Sequence, residues 1–251
     1  MNISDNRTVH EYGEIFESRG SLYHDAMMSC PTARDAEFSS LFARVPLKAG
    51  ECLVDVPSGG GYLKAFLERN MPISTPFVHN FELTSGFGAN STVVNLDSSW
   101  PIAVSSADRL VCLAAVHHIH DLSPLYVNVE NVLKSGGFFH LADVAPGSGV
   151  QRFLETFVDR YTPGGHRGFY RNFFTEAPPP RFDLVDVSLR DCPWVFESVD
   201  QMLNFCGGLF GLQSCSKAEL EFALRDCIGV ETHPSGVSLC WKLAYVDMRL
   251  K

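Results

Sequence analysis

The chain has 251 residues, 45% of them hydrophobic and 20% charged, a composition typical of globular proteins and a length that fits one domain. Its formal net charge of −9 argues against a nucleic-acid partner, because an acidic surface repels phosphates. The longest apolar run, residues 110–116, is too short to cross a membrane, and the polar N-terminus lacks a signal-peptide pattern, so the sequence predicts a cytoplasmic protein without a membrane partner.

The first half of the chain changes from a helical pattern to alternating strands and helices. Residues 1–45 are predicted to be helical, with Phe38, Leu41 and Phe42 spaced along one helix face. Five short apolar runs are then predicted strands: residues 52–56, 77–82, 91–96, 109–116 and 137–144. This alternation is typical of a doubly wound, mostly parallel sheet, whose ligands bind beyond the carboxyl ends of the strands.

One helix is predicted between the fourth and fifth strands. Ser123 is its expected N-cap, Pro124 follows in the first turn, and Gly136 is the expected stop. Its apolar face carries Leu122, Leu125, Val129 and Val132.

The C-terminal third is predicted to add two strands and two helices. Residues 182–189 form a strand, and the helices begin after Ser198 and Ser216, the latter with a capping box to Glu219. Residues 237–245 alternate in polarity, which predicts a last strand with one solvated face that runs antiparallel at the end of the sheet.

The stretch VDVPSGGGYL, residues 54–63, joins the first strand to a helix through three glycines. A Walker phosphate loop is excluded because Lys64 is not followed by Ser or Thr. Counted from Gly59, the third glycine of a dinucleotide fingerprint also falls on Lys64, which weakens that interpretation. A third possible ligand is a nucleoside cofactor without phosphates. Glu82 ends the next strand and can bind ribose hydroxyls, and Asp55 can bind a cationic amino group.

These segments together resemble a known family. VDVPSGGG, Glu82, NLDSSWP, HHIHDL and LKSGGFFHLADV are similar in order and spacing to class I S-adenosylmethionine-dependent methyltransferases that act on small molecules. The similarity covers roughly residues 50–145. It implies a Rossmann-like seven-stranded sheet with an antiparallel last strand, preceded by N-terminal helices, with a helical insertion before that strand.

The resemblance assigns the methionine and ribose ends of the cofactor to the glycine loop and the second strand. Asp55, Gly59 and Gly61 would surround the methionine moiety, and Glu82 would bind the ribose diol. Pro57 stands where the family commonly has glycine, and its fixed φ predicts a stiffer loop.

The resemblance also assigns residues to the adenine and sulfonium ends of the cofactor. Leu83 would pack near the adenine ring, and Asp97, with Ser98, would bind its amino group. Ala114 and Ala115, at the end of the fourth strand, would offer backbone contacts to the sulfonium end.

The histidine-rich run after the fourth strand is the first place to look for catalytic groups. Its spacing lacks the i, i+4 pair of helical zinc sites, and the eight cysteines contain no C-x-x-C pair, so no metal is predicted. His118 is the candidate that faces the acceptor, the alternative being a histidine packed within the loop. Asp143 ends its strand near the pocket, whereas His140 is predicted to be a core residue.

Two other segments are candidates for the acceptor side. Residues 161–174 carry His166, Arg167 and Arg171 in a glycine- and aromatic-rich loop, which resembles a specificity loop over a rigid sheet. Residues 12–27, with Tyr12, Arg19 and Tyr23, are expected to fold over the cofactor as N-terminal helices do in the resembled family.

The sequence therefore predicts a methyltransferase that uses S-adenosyl-L-methionine and acts on a small-molecule acceptor. The alternatives are a protein that binds this cofactor for other chemistry or for a binding role, and an NAD-dependent oxidoreductase. We expect a single domain over residues 1–251, with a helical cap (1–45), a cofactor-binding core (50–145) and an acceptor-side region (146–251). A homodimer is left open.

Overall fold

A single mixed sheet organises the computed structural model, which describes residues 12–88 and 91–251. Its strands lie in the spatial order β3 (Thr92–Val93), β2 (Phe77–Glu82), β1 (Cys52–Asp55), β4 (Ala107–Leu113), β5 (Leu133–Asp143), β10 (Lys242–Leu250), β6 (Phe182–Asp191). β10 is antiparallel to both of its neighbours, and the other pairs are parallel. The predicted doubly wound, mostly parallel seven-stranded sheet with an antiparallel last strand is confirmed.

Helices cover both faces of this sheet. They are α1 (Tyr12–Ser29), α2 (Asp35–Leu41), α3 (Tyr62–Asn70), α4 (Ser123–Val132), α5 (Gly149–Arg152), a π-helical stretch (Phe153–Val158), α6 (Asp159–Tyr161), α7 (Val199–Leu209) and α8 (Lys217–Cys227). Two apolar cores result, one with side chains of α2, α3, α7 and α8, the other with those of α4. α1 contributes Met27 to the first core and Tyr12 to the second, so it crosses from one face to the other. None of the described helices is long and apolar enough to span a membrane.

The predicted last strand is wrong in its extent and its position. Residues 236–239 form β9 (Gly236–Leu239), which pairs with β7 (Trp194–Phe196) and β8 (Val230–His233) in a separate three-stranded sheet. β10 begins only at Lys242 and lies between β5 and β6, with both faces almost entirely buried. An alternation of polarity with a period of two indicates an extended chain but does not identify the strands it pairs with. Here one predicted strand covered parts of two strands that belong to different sheets.

Smaller differences concern where elements begin and end. The third predicted strand shrinks to the two residues of β3, and α4 starts at Ser123 with Leu122 at its N-cap. α4 ends at Val132, where β5 begins at once, so Gly136 is not a helix stop. The N-caps at Ser198 and Ser216 are confirmed, including the capping box with Glu219. Of the predicted N-terminal cap, residues 1–11 lie outside the described part of the chain.

α1 is held against the turn that follows β2 by direct contact between two backbones. A Cβ on Gly20 would lie 2.2 Å from the carbonyl oxygen of Gly86, and a Cβ on Gly86 would lie 2.0 Å from that of Phe16. Only glycine permits so close an approach. The contact fixes α1 across the carboxyl end of the sheet, where ligands of this architecture bind.

Candidate active site

The glycine loop turns sharply between β1 and α3. Gly59, Gly60 and Gly61 have φ values of 58°, 106° and 84°, a region that side-chain-bearing residues rarely adopt. A Cβ on Gly61 would also lie 2.8 Å from Nδ2 of Asn80. The Val56–Pro57 peptide just before the glycines is cis. The loop therefore depends on its glycines for both backbone shape and space.

Two buried carboxyl groups lie beside this loop. Glu82 accepts hydrogen bonds from the backbone N–H of Gly59 (2.7 Å) and of Leu83 (2.9 Å), and from the hydroxyl of Tyr12. Burial nevertheless raises the pKa of Glu82 to about 7. Burial, and then the charge of Glu82, also raise the pKa of Asp55 well above its ordinary value. Such a pair favours a ligand that brings positive charge or hydrogen-bond donors.

A cavity of about 60 Å³ opens next to these acids and is lined by Asp55, Pro57, Gly59, Tyr23 and Ala114.

A second cleft, of about 500 Å³, follows the end of β2 and is lined by Leu83, Asp97, Tyr12 and Ile119. Ser98 is exposed beside Asp97, and the side chain of Ala115 is buried in the core. The structure thus brings most of the predicted cofactor residues to one edge of the sheet. Asp55, Pro57, Gly59, Ala114, Leu83 and Asp97 line the two cavities, whereas Gly61, Glu82, Ser98 and Ala115 do not.

A third cavity, of about 70 Å³, lies on the other side of Ala114. Five aromatic side chains from distant segments line it: Phe16, Tyr23, Trp194, Phe210 and Trp241. The side chains of His117, His118 and His166 also line it. Because Ala114, Phe16 and Tyr23 line this cavity and the one at the glycine loop, the two cavities adjoin. We call the aromatic one the acceptor cavity.

His117 is the histidine that the fold orients most firmly. Its Nδ1 lies 2.6 Å from Oδ1 of Asp143, whose carboxylate also accepts the backbone N–H of His117 (3.0 Å) and of Val144 (2.6 Å). The ring stacks on Tyr170 at 5.7 Å between centroids and 7° between planes. Since a carboxylate only accepts, Nδ1 carries the proton, and in the neutral form of the ring Nε2 has a free lone pair. The sequence selected Asp143 but chose His118 instead of His117.

His118 and His166 are buried beside His117, and neither Nδ1 atom has a hydrogen-bond partner among the described residues. Burial, followed by the charge of His117, lowers the pKa of both rings well below 6.5, so both are neutral near pH 7. One nitrogen of each of the three rings lies within 4.8 Å of the others, close enough to share a metal ion. The predicted absence of a metal stays a prediction.

The remaining sequence candidates divide into structural and cavity-lining residues. Arg171 donates to the carbonyl oxygens of Ile119 and His120 and so holds its loop to the sheet. Arg167 lies 3.7 Å from Asp159.

His140 is confirmed as a core residue, with Nδ1 2.7 Å from Asp247 and Nε2 3.3 Å from Arg109. Arg19 and Tyr23 both line the acceptor cavity.

One buried ion pair at this cavity was not predicted from the sequence. Glu37 is fully buried and accepts from Nε (2.9 Å) and Nη2 (2.5 Å) of Arg34 and from Nε1 of Trp194 (2.7 Å). The i, i+3 spacing of Arg34 and Glu37 can be seen in the sequence. It did not indicate a buried pair, because such pairs are common on exposed helix faces.

Glu82 makes the stability of the protein depend on pH in a definite direction. Its pKa is about 7 in the fold and 4.5 for a free side chain, so the folded state holds more protons between these values. The contribution of Glu82 to the free energy of unfolding therefore falls as pH rises, by about 2–3 kcal/mol between pH 5 and pH 8. We expect Glu82→Gln to lose this slope, measured by urea unfolding at both pH values.

The matched control is Glu68→Gln on the exposed face of α3, which should keep the wild-type slope. A Glu82→Gln protein with the wild-type difference between pH 5 and pH 8 would contradict the assignment.

Comparison with known proteins supports the fold. No protein-family model matches the sequence, and no curated protein matches it significantly. Among solved structures, the chain is similar to the cyclase SpnF, with a TM-score of 0.56 and 13% identity over 97% of this chain and 96% of SpnF.

Two further structures are similar to a comparable degree. The geranyl diphosphate C-methyltransferase of Streptomyces coelicolor, solved with Mg²⁺, geranyl diphosphate and S-adenosyl-L-homocysteine, gives a TM-score of 0.51 at 14% identity over 91% of this chain and 85% of its own. YcgJ of Bacillus subtilis gives a TM-score of 0.52 at 16% identity, over 85% of this chain and 97% of YcgJ. The chain thus has the Rossmann-like fold of class I S-adenosylmethionine-dependent methyltransferases.

Proposed function

We propose that the protein is an S-adenosylmethionine-dependent methyltransferase that acts on a small molecule held in the acceptor cavity. The observation that carries this proposal is the junction at Ala114, where the cavity of the glycine loop adjoins the acceptor cavity. Methyl transfer needs this arrangement, because the two reactants must be held in line within about 3–3.5 Å and away from water.

The residues at the glycine loop fit this cofactor better than a dinucleotide. S-adenosylmethionine is cationic at its sulfonium and amino groups, and the site offers the buried acids Asp55 and Glu82. A dinucleotide brings phosphates, which these acids would repel, and Arg34, the cation that lines this cavity, is already bound to Glu37.

The cofactor contacts follow the order of the strands. Asp55, with the backbone of Gly59 and Gly61, would hold the aminoacyl end, and Glu82 would bind the ribose hydroxyls. Leu83 and Asp97 would bind the adenine, with Ser98 beside Asp97.

When bound, S-adenosylmethionine supplies an electrophilic methyl group whose bond to sulfur breaks with the electron pair left on sulfur. The chain supplies alignment and a base. The aromatic walls orient the acceptor and exclude water, and Nε2 of His117 takes the proton from the acceptor's nucleophilic atom. Asp143 holds the ring in the required tautomer and stabilises the imidazolium that forms.

Calorimetric titration with S-adenosylhomocysteine tests the proposal. We expect binding in the micromolar range, and at least tenfold weaker binding for Glu82→Ala, because about 1.5–3 kcal/mol is lost with a charged hydrogen-bond partner. Glu68→Ala, on exposed α3, is the control and should bind as the wild type does. Absence of binding, or binding of NADH in its place, would refute the proposal.

A second candidate keeps the cofactor but changes the reaction. The similarity to SpnF, a cyclase, shows that this fold also occurs in a protein named for a different reaction. Incubation with S-adenosylmethionine and a metabolite extract separates the two. Release of S-adenosylhomocysteine above background favours methyl transfer, and binding without release favours the second candidate.

A further inference from the structure

Arg19 of α1 is a buried cation that forms no ion pair with any described residue. Its side chain lines the acceptor cavity, and the residue is only 9% exposed. Nη2 donates to the carbonyl oxygen of Phe210 at 2.7 Å, whereas Nε and Nη1 have no hydrogen-bond partner among the described residues. Burial lowers the pKa of Arg19 to about 10, and no carboxylate offsets this effect. The guanidinium still stays charged near pH 7.

The contrast with Arg34 shows that the fold neutralises buried cations elsewhere in the same cavity. Arg34 is bound by two oxygens of Glu37, which is itself fixed by Trp194. A buried charge without a partner costs several kcal/mol, so leaving Arg19 unpaired is unfavourable in the free protein. A ligand that brings one negative charge removes this cost.

The rest of the cavity indicates what kind of anion fits. Nε1 of Trp241, which can only donate, has no partner among the described residues. Five aromatic side chains line the cavity together with apolar residues such as Val144, Leu154 and Leu243, and such a lining suits an organic molecule with an aromatic or apolar body. A single unpaired guanidinium balances one carboxylate, whereas a phosphate or diphosphate would bring excess charge.

Arg19 also argues against a metal ion in the neighbouring histidine cluster. Arg19, His118 and His166 line the same cavity, and the charge of Arg19 contributes to the lowered pKa of both histidines. A divalent cation bound there would be repelled by Arg19 in a poorly solvated cavity. An anion is attracted to the same position.

We propose that Arg19 binds a carboxylate of the acceptor, so that the substrate class is an aromatic carboxylic acid. The statement that the bound carboxylate belongs to a methyl acceptor rests on the proposed function. The anion site itself does not depend on methyl transfer. The matched variant is Arg19→Met, which keeps the length of the side chain and removes its charge. Because Arg19 does not line the cavity at the glycine loop, this variant should bind S-adenosylhomocysteine as the wild type does.

The test compares the affinity of each of three acids with that of its neutral amide. Benzoate, 3-phenylpropanoate and indole-3-acetate and their amides are titrated calorimetrically into the full chain, with and without S-adenosylhomocysteine. We expect at least one acid to bind tenfold or more tightly than its amide, and this ratio to fall to about one in Arg19→Met. Arg171→Met is the control and should keep the wild-type ratio, because Arg171 is engaged by backbone carbonyls.

Several outcomes would overturn the inference. They are the absence of any preference for acid over amide in the wild type, an unchanged preference in Arg19→Met, and tighter binding of phenyl phosphate than of all three acids. Stabilisation of the free protein by ZnCl₂ would instead assign the cavity to a metal. Failure of S-adenosylhomocysteine to bind while the acid preference persists would refute the proposed function and leave the anion site standing.

Discussion

Replacing His117 by alanine is expected to lower kcat for methyl transfer about 100- to 10,000-fold, the usual contribution of a general base. His117 is the cavity-lining histidine whose Nδ1 faces a carboxylate, so its Nε2 is ready to accept a proton. The affinity for S-adenosylhomocysteine should stay unchanged, because His117 does not line the cavity at the glycine loop. The measurement is transfer of labelled methyl groups to the first acceptor identified, with binding measured in parallel.

Two variants sharpen this experiment. Asp143→Asn should also lower kcat strongly, because an amide can hold His117 in the wrong tautomer. His120→Ala is the control: it lies on the same loop, is exposed, and does not line the acceptor cavity. If His117→Ala retained wild-type kcat while its protein stayed folded, the base would have to be another group.

Glu37→Ala is expected to destabilise the protein by about 3–5 kcal/mol, as is typical when one partner of a buried ion pair is removed. The substitution leaves the guanidinium of Arg34 and the indole N–H of Trp194 buried without their acceptor. It should also deform the wall of the acceptor cavity, which both residues line. Urea unfolding followed by circular dichroism measures the loss.

The control for Glu37 is Glu221→Ala on α8. Its ion pair with Arg225 is also short, 2.8 Å against 2.5 Å for Arg34 and Glu37, but both side chains are partly exposed. We expect a loss of about 0.5 kcal/mol or less, as for other surface pairs one helical turn apart. Similar losses in the two variants would mean that burial does not set the strength of the Glu37 pair.

The central strands could be predicted because each is buried on both faces and therefore appears in the sequence as a short apolar run. The helix starts at Ser198 and Ser216 followed from local capping chemistry. The path of residues 236–250 could not be predicted, because which strands pair depends on distant segments. Trp194 pairs with Leu239, and Tyr245 lies opposite Ser188, and no local pattern encodes either partner.

The candidate site likewise has a part that could be predicted from the sequence and a part that could not. The ends of β1 and β2, with Asp55 and Glu82, were predicted from ordered motifs within one stretch of chain. The choice between His117 and His118 was not open to sequence reasoning, since both line the cavity and only the distance to Asp143 separates them. The acceptor cavity joins residues as far apart as Phe16 and Trp241, so its aromatic character appears only in the folded chain.

The backbone contact between Gly20 and Gly86 has a consequence for the kinetics of the whole protein. It anchors α1, and Phe16 and Tyr23 of this helix form walls of both cavities. A displacement of α1 wide enough to admit one ligand therefore opens the compartment of the other as well. Under the proposed function, arrival and departure of cofactor and acceptor would be coupled through one rigid element, and turnover would be limited by the motion of α1 wherever that motion is slower than the chemical step.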